Sequence, residues 1–257
     1  MIIRLDYILI MEREKKFVKT GKIEFPTNNA YIAYAKCDMN DIKNLQNKIS
    51  IFSKDEMKMY QCFKFEKRKR DYLLGRYAAK LAISKTIHTR KFEDISVLNG
   101  VFYQPILKIT NTDASRIGIS ITHCDGKAIA IIYSPSLICG VDIEKVDNDK
   151  CVVMNSMLSK SETDMVTKYQ NRIKMLTTLW TAKESLSKAL CVGFMCKGEI
   201  LEISDISFTD QYFIGDYGYF PQYRFISKIV SDYSLTLAVP KSLDINPLLE
   251  AKNEIWA

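Results

Sequence analysis

Three carboxylates and two ammonium groups stand in two short stretches of this chain. The first is Gly140-Val141-Asp142-Ile143-Glu144-Lys145, and the second is Trp180-Thr181-Ala182-Lys183-Glu184-Ser185-Leu186-Ser187-Lys188. Carboxylate oxygens suit a hard divalent cation, which keeps several waters and binds a few side chains plus substrate phosphates. Lysines nearby suit phosphate oxygens. The set therefore fits one Mg²⁺ holding a pyrophosphate. Singly, each stretch has a plainer reading: a D-x-E on a strand is often the wet face of a half-buried sheet, and a K-E-x-x-x-K on a helix is often a surface ion pair.

The elements that must carry these groups are legible. Residues 137–144 alternate as a strand, with Leu137, Cys139, Val141 and Ile143 on one face. Side chains at i and i+2 leave a strand on the same side, roughly 7 Å apart, so Asp142 and Glu144 point together while Val141 and Ile143 enter a core. The second stretch reads as a helix from about Arg172 to Leu190, with Ile173, Leu176, Leu179, Trp180 and Leu186 as its apolar face. Glu184 and Lys188 sit one turn apart on it, with Lys183 beside them.

The pairing, order and spacing of the two stretches resemble the signature of the Sfp-type 4′-phosphopantetheinyl transferases, roughly (V/I)-G-(I/V)-D-(I/V)-E, a gap of some forty residues, then (F/W)-(S/T/C)-x-K-E-(S/A)-x-x-K. Further segments agree in order. Ile119-Ser120-Ile121-Thr122-His123-Cys124 looks like the family's strand ending in S-H. Leu158-Ser159-Lys160-Ser161-Glu162 looks like its F-S-x-x-E segment. Lys67-Arg68-Lys69-Arg70-Asp71-Tyr72-Leu73-Leu74-Gly75-Arg76 looks like its basic helix ending in L-x-G-R, and Val192-Gly193-Phe194 falls at its glycine turn. The resemblance covers about residues 50–240.

That resemblance implies an α+β fold of two similar subdomains related by a pseudo-twofold, each a long helix packed on a small antiparallel sheet, with coenzyme A in the cleft between them. The halves would be residues 1–135, carrying the basic helix, and 136–257, carrying the metal and catalytic motifs, with Ser134-Pro135-Ser136 between them. It implies transfer of phosphopantetheine from coenzyme A to a serine of an apo carrier protein, releasing adenosine 3′,5′-bisphosphate. Asp142, Glu144 and Glu184 would bind Mg²⁺, or Mn²⁺ in its place. Glu184 would either serve only as a metal ligand or also take the serine proton, directly or through a metal-bound water; Lys188 would stabilise the leaving phosphate, and Lys183 would do the same or orient Glu184. His123, Thr122, Arg76, Arg70, Arg68 and Gly75 would line the coenzyme A site. The partner would be an acidic helical carrier domain of peptide, polyketide or fatty-acid synthesis, received in part by the apolar run Val152–Leu158, which also reads as ordinary core or a helix start. The chain departs from the family at Phe102-Tyr103-Gln104-Pro105, where a G-(K/R)-P is usual, and at Thr122, which stands for serine.

Composition agrees with a folded enzyme. The 257 residues are 47% hydrophobic, enough for a packed core. The apolar opening is broken by Arg4 and Asp6, and reads as a first strand rather than a signal peptide. Seven scattered cysteines and two histidines point to a reduced, cytoplasmic compartment without a soft-metal site. The formal charge is +7, with much of the excess between Lys64 and Arg76. That patch also fits a nucleic-acid binder, a reading that leaves the three carboxylates unexplained. A relative that binds carriers without catalysis is the other alternative. The length favours the monomeric two-subdomain branch over the trimeric holo-acyl-carrier-protein synthases, whose chain is about half as long.

Overall fold

The structure is a computed structural model, and it describes residues 18–40, 49–87, 91–114, 117–193, 197–209, 211–250 and 254–256. The expected strand at the extreme N-terminus, the polar helix start at Asp41 and Phe194 lie outside these.

Two antiparallel sheets stack face to face, each with a long helix on its outer side. The first contains β1 (Val18–Phe25), β2 (Ala30–Asp38), β5 (Gly118–Cys124) and β6 (Lys127–Tyr133) in the order β1-β2-β6-β5. Helix α1 (Lys54–Cys62) leads into α2 (Glu66–Ile83), and the hairpin β3 (Ile95–Asn99)–β4 (Pro105–Ile109) turns at Gly100 as the Asn-Gly pair predicts. The second sheet contains β7 (Gly140–Lys145), β8 (Ile203–Thr209), β9 (Tyr212–Tyr217), β10 (Tyr223–Val230) and β11 (Tyr233–Pro240) in the order β7-β11-β10-β9-β8. Its helices are α3 (Cys151–Ser156), α4 (Lys160–Lys168) and α5 (Arg172–Ala189); α6 (Asn246–Leu249) follows the last strand.

Alternation along the strands decides the layers. In β2, Ala33, Ala35 and Cys37 pack beneath α2 with Leu74, Tyr77, Ala78 and Leu81. Ile32 and Tyr34, on the opposite face, meet Val141, Ile143, Leu235 and Leu237 of the second sheet. The tail after Pro240 closes this inter-sheet core with Leu248, Ile255 and Trp256, whose indole donates to the Leu248 carbonyl at 2.7 Å. A third cluster seats α5 through Leu176, Leu179 and Leu186 on Phe213, Phe225 and Ala238. Among the described residues no helix is long and apolar enough to cross a membrane.

Two local expectations need correction, and one strand was not foreseen. The strand expected from Leu137 starts at Gly140, because Leu137 and Cys139 are buried in a turn segment. The strand expected from residue 200 starts at Ile203, after a 3-10 turn at Gly198–Leu201. β9 was unexpected, since its Tyr212–Tyr217 sequence holds one glycine and one aspartate.

The halves share an order of elements, β2-α1-α2-hairpin-β5-β6 and β7-α4-α5-hairpin-β10-β11, and the shared strand order is β2-β6-β5 and β7-β11-β10. They also share one buried clip. Ser53 and Glu56 form a capping box on α1, and Ser159 and Glu162 form the same box on α4. Glu56 accepts from Lys80 Nζ at 2.6 Å and from the Val97 N–H at 2.9 Å. Glu162 accepts from Lys183 Nζ at 2.7 Å and from the Ile203 N–H at 2.9 Å. Each lysine turns its remaining two protons to backbone carbonyls, shared among those of Ile51, Phe92 and Ile95 in one half and directed to those of Met157 and Gly198 in the other. Each clip ties a cap, a long helix and a following strand into one unit, with all four charged side chains at 0% exposure.

Candidate active site

β7 is pressed onto α5. A methyl built on Gly140 would lie 1.9 Å from the Ser185 carbonyl oxygen and 2.8 Å from the Ala189 nitrogen, so only glycine permits this approach. Thr181 fixes the helix from below, its hydroxyl meeting Thr236 Oγ1 at 2.7 Å and Ser234 Oγ at 3.0 Å on β11. Tyr217 adds a bond to the Ala182 carbonyl at 2.8 Å.

The first half supplies the other wall. β5 meets β7 through side chains: Ser120 Oγ accepts from the Val141 N–H at 3.2 Å, and Thr122 Oγ1 accepts from the Ile143 N–H at 3.3 Å. Thr122 Oγ1 also donates to Asp142 Oδ1 at 2.7 Å. Alternate hydroxyl residues on β5 therefore replace a backbone ladder and leave Asp142 facing α5. Thr122 in place of serine keeps both bonds.

The charges then converge. Lys188 Nζ donates to Asp142 Oδ1 at 2.6 Å and to the Val141 carbonyl at 3.3 Å. Glu144 accepts from Lys150 Nζ at 2.8 Å and from Cys124 Sγ at 2.9 Å. Burial and the Glu144 carboxylate push the Cys124 thiol up to about 12, so it stays a donor. Burial, then the Asp142 charge and more weakly that of Glu144, push Glu184 up to about 7 against the opposing pull of Lys188 and Lys150. A buried carboxylate whose charge is disfavoured by two neighbouring carboxylates sits in an oxygen donor set of the kind a hard divalent cation relieves. As the side chains stand, no three His, Cys, Asp or Glu among the described residues are gathered tightly enough to hold an ion, since Asp142 and Glu144 are each turned onto a lysine.

His123, at the end of β5, brings in the basic helix. Its imidazole remains accessible to solvent, yet the surrounding protein holds it below its ordinary value; Asp71 opposes this, and Lys188 and Arg68 add to it. Arg68 of α2 and Lys188 of α5 thus form a cationic rim around the imidazole of His123 on β5, whose own charge they disfavour. Arg68 also lies over the Phe63 ring at 5.6 Å. Arg70 is exposed on the same helix.

Three residues expected at the site stand elsewhere. Lys183 is fully buried in the Glu162 clip, with all its bonds directed away from the three carboxylates. Arg76 is 8% exposed, stacked over Tyr72 at 4.3 Å, and donates to the Val97 carbonyl at 2.8 Å and to Asn99 Oδ1 at 3.0 Å. It braces the β3–β4 hairpin rather than presenting a cation. Gly75 is buried, and a methyl there would meet Ile121 at an ordinary 3.5 Å, so it packs against β5. Conversely, Lys150 and Cys124 were not expected. The turn-forming run Asp147-Asn148-Asp149 before Lys150 was the signal that the chain doubles back onto Glu144, and it closes with the Asp149 N–H on Asp147 at 3.0 Å.

Comparison with known proteins gives this geometry its context. The model of the 4′-phosphopantetheinyl transferase superfamily matches residues 138–238, the span of β7, α5 and β11. The holo-[acyl-carrier-protein] synthase of Staphylococcus carnosus is 32% identical over 83 residues, which are 30% of this chain and 68% of that protein. The synthase of Acholeplasma laidlawii is 33% identical over 89 residues, 33% of this chain and 75% of its own. Among solved structures, a Bacillus anthracis holo-(acyl-carrier-protein) synthase in complex with CoA (3′,5′-ADP) aligns with a TM-score of 0.35 and 24% identity, over 44% of this chain and 97% of that one. The Thermotoga maritima synthase aligns with a TM-score of 0.34 and 17% identity, over 46% of this chain and 70% of that one. With its paired motifs inside the matched span, the chain belongs to the 4′-phosphopantetheinyl transferase superfamily.

Proposed function

We propose that the protein transfers the 4′-phosphopantetheine group of coenzyme A to a serine of an apo carrier protein, releasing adenosine 3′,5′-bisphosphate. The observation that carries this reading is the meeting of Asp142 and Glu144 on β7 with Glu184 and Lys188 on α5, where burial and two neighbouring carboxylates bring Glu184 to about 7.

In the reaction the serine Oγ attacks the phosphorus bearing the pantetheine arm. Its proton passes to a Glu184 oxygen, and the bond to the departing phosphate breaks. In the metal-free site Glu184 stands near 7, in the range that suits a proton acceptor at neutral pH. Lys188, now on Asp142 at 2.6 Å, is the cation that meets charge growing on the leaving phosphate; a group of that kind is worth about 3 kcal/mol in the transition state. Asp142, Glu144 and Glu184 would hold Mg²⁺, or Mn²⁺ in its place. When bound, that ion neutralises the pyrophosphate and polarises the attacked phosphoryl group. His123, Arg68 and Arg70 serve the phosphates of coenzyme A, with arginine suited to bidentate contact. Thr122, expected beside them, is buried and gives its hydroxyl proton to Asp142 at 2.7 Å, so it positions a carboxylate instead.

The carrier is an acidic helical domain. Val152 and Val153, 83% and 57% exposed on α3 beside Lys150, offer it an apolar contact next to a cation. The division at residues 135 and 136 goes with this reading, since each half supplies one wall, and a single chain carrying both walls supports a monomer.

The test is the intact mass of an apo carrier protein after incubation with the protein, coenzyme A and Mg²⁺, beside a Glu184→Gln control. A phosphopantetheine-sized gain that needs metal and disappears in the control is the expected result. Failure to bind coenzyme A would overturn the reading.

A further inference from the structure

Glu144 is held at both of its oxygens, by donors of different kinds. Oε1 accepts from Cys124 Sγ at 2.9 Å and from the Lys145 N–H at 3.2 Å, neutral groups at the ends of β5 and β7. Oε2 accepts from the Lys150 ammonium at 2.8 Å. Asp142 differs, because Thr122 Oγ1 and Lys188 Nζ both donate to its Oδ1, which keeps Oδ2 clear of that pair. An ion arriving among the three carboxylates can therefore share Asp142 with Lys188, one oxygen each. At Glu144 the oxygen not anchored by neutral donors is the one that Lys150 covers.

The two lysines also differ in their freedom to leave. Lys188 belongs to the long helix α5, is 27% exposed, and has a second bond to the Val141 carbonyl at 3.3 Å. Lys150 is the N-cap residue of the short helix α3 and is 54% exposed, and its ammonium is bonded to Glu144 alone among the described residues. Its side chain can swing into water without moving a strand or a long helix. An ammonium and a divalent cation on one carboxylate oxygen repel strongly, so an ion on Oε2 must release Lys150.

We propose that Lys150 is a latch on the metal site: it covers the Glu144 oxygen that the ion would take, lowers the affinity of the empty site for a free divalent cation, and swings out when the ion binds. Cys124 and the Lys145 N–H hold Oε1 throughout, so Glu144 keeps its orientation as the latch opens. Lys150 is thus a positioning residue that acts through Glu144. The latch presupposes that Asp142, Glu144 and Glu184 are the metal's ligands, as proposed above.

Titration of Mn²⁺ into the protein without coenzyme A, with the free ion counted by electron paramagnetic resonance, reads the latch in the absence of turnover. A partly wet ion pair is worth up to about fivefold in an equilibrium constant, so Lys150→Met should bind Mn²⁺ about fivefold more tightly than the parent. Lys150→Arg, which keeps a cation for Glu144, should bind as the parent does. Lys145→Met loses the same charge from a neighbouring side chain that pairs with Asp125 instead, and should also match the parent. Asp142→Asn, added to Lys150→Met, should remove the tight binding. Unchanged or weaker binding in Lys150→Met would overturn the latch, as would equal tightening in Lys145→Met or in Lys150→Arg. Tight binding that survives Asp142→Asn would place the ion elsewhere and overturn it too. Mn²⁺ binding by none of these proteins would overturn the latch together with the metal assignment, while the carrier mass assay reads the transfer itself separately.

Discussion

Replacing Lys183 by methionine separates two roles that its place in the K-E-x-x-x-K motif leaves open. The ammonium is fully buried and donates to Glu162 at 2.7 Å, the Met157 carbonyl at 2.9 Å and the Gly198 carbonyl at 2.7 Å. Methionine removes the charge and keeps most of the volume, so the loss is electrostatic. Glu162 would then be a buried carboxylate held only by the N–H groups of Ile203 and Ser159 and its own cap. Breaking a buried pair from one side costs about 3–5 kcal/mol. In a domain of this size that lowers Tm by about 10 °C. Urea titration followed by circular dichroism measures the loss, and coenzyme A binding well below the new midpoint shows whether the site survives. Lys80→Met is an internal control, since Lys80 has the same wiring to Glu56 and lies outside the catalytic motif. The two variants should lose similar stability and both retain turnover when folded. Lys188→Met, whose side chain is 27% exposed, should do the opposite: about 1 kcal/mol lost from a partly wet pair, with turnover abolished. A Lys183→Met protein of full stability and no activity would refute the structural assignment of this lysine.

Gly140→Ala places a methyl 1.9 Å from the Ser185 carbonyl; the overpacking costs about 1–3 kcal/mol and weakens metal binding as β7 shifts from α5, measurable by urea titration and calorimetry with Mg²⁺. Glu184, raised to about 7, stabilises the metal-free fold while it is protonated. That contribution is complete below the unfolded value of about 4.3 and is lost as pH rises to about 7; urea midpoints across this range should fall in the parent and stay level in Glu184→Gln. Val152→Asp and Val153→Asp should raise KM for an acidic carrier about tenfold through lost apolar contact and like charge, with coenzyme A binding unchanged by calorimetry.

The parts of the site that could be read directly are those set by period and spacing. Asp142 and Glu144 share a face because strand alternation is strict, and Glu184 and Lys188 share one because a helical turn is strict. Partners fixed by tertiary approach were hidden. Arg76 and Lys183 are cations in plausible motif positions, yet each is consumed by carbonyls in a hairpin or turn that local pattern does not locate. Cys124 and Lys150 reach Glu144 only because β5 abuts β7 and the 147–149 turn folds back. The repeat was illegible because so few residues carry it: a serine, a glutamate and a lysine in each half, at similar but unequal intervals.

That repeat also explains why chemistry resides in one half. Ala33, Ala35 and Cys37 turn from β2 toward α2, where Gly140, Asp142 and Glu144 turn from β7 toward α5. If the clip lysines Lys80 and Lys183 are superposed, Leu81 of the first half falls where Glu184 stands, and Leu81 is core. The same frame holds an apolar contact in one copy and opposed charges in the other. A buried carboxylate cluster destabilises the element that bears it, so that element needs independent anchoring. The Glu162–Lys183 clip, the Thr181 seam and the Gly140 approach provide it without drawing on Asp142, Glu144, Glu184 or Lys188. The first copy, free of that strain, can lend its edge strand, and Thr122 and Cys124 of β5 hold the carboxylates from outside. The stability of the second half and the reactivity of its site are thus supplied by different residues, which is why mutations in the clip and in the carboxylate cluster are expected to separate.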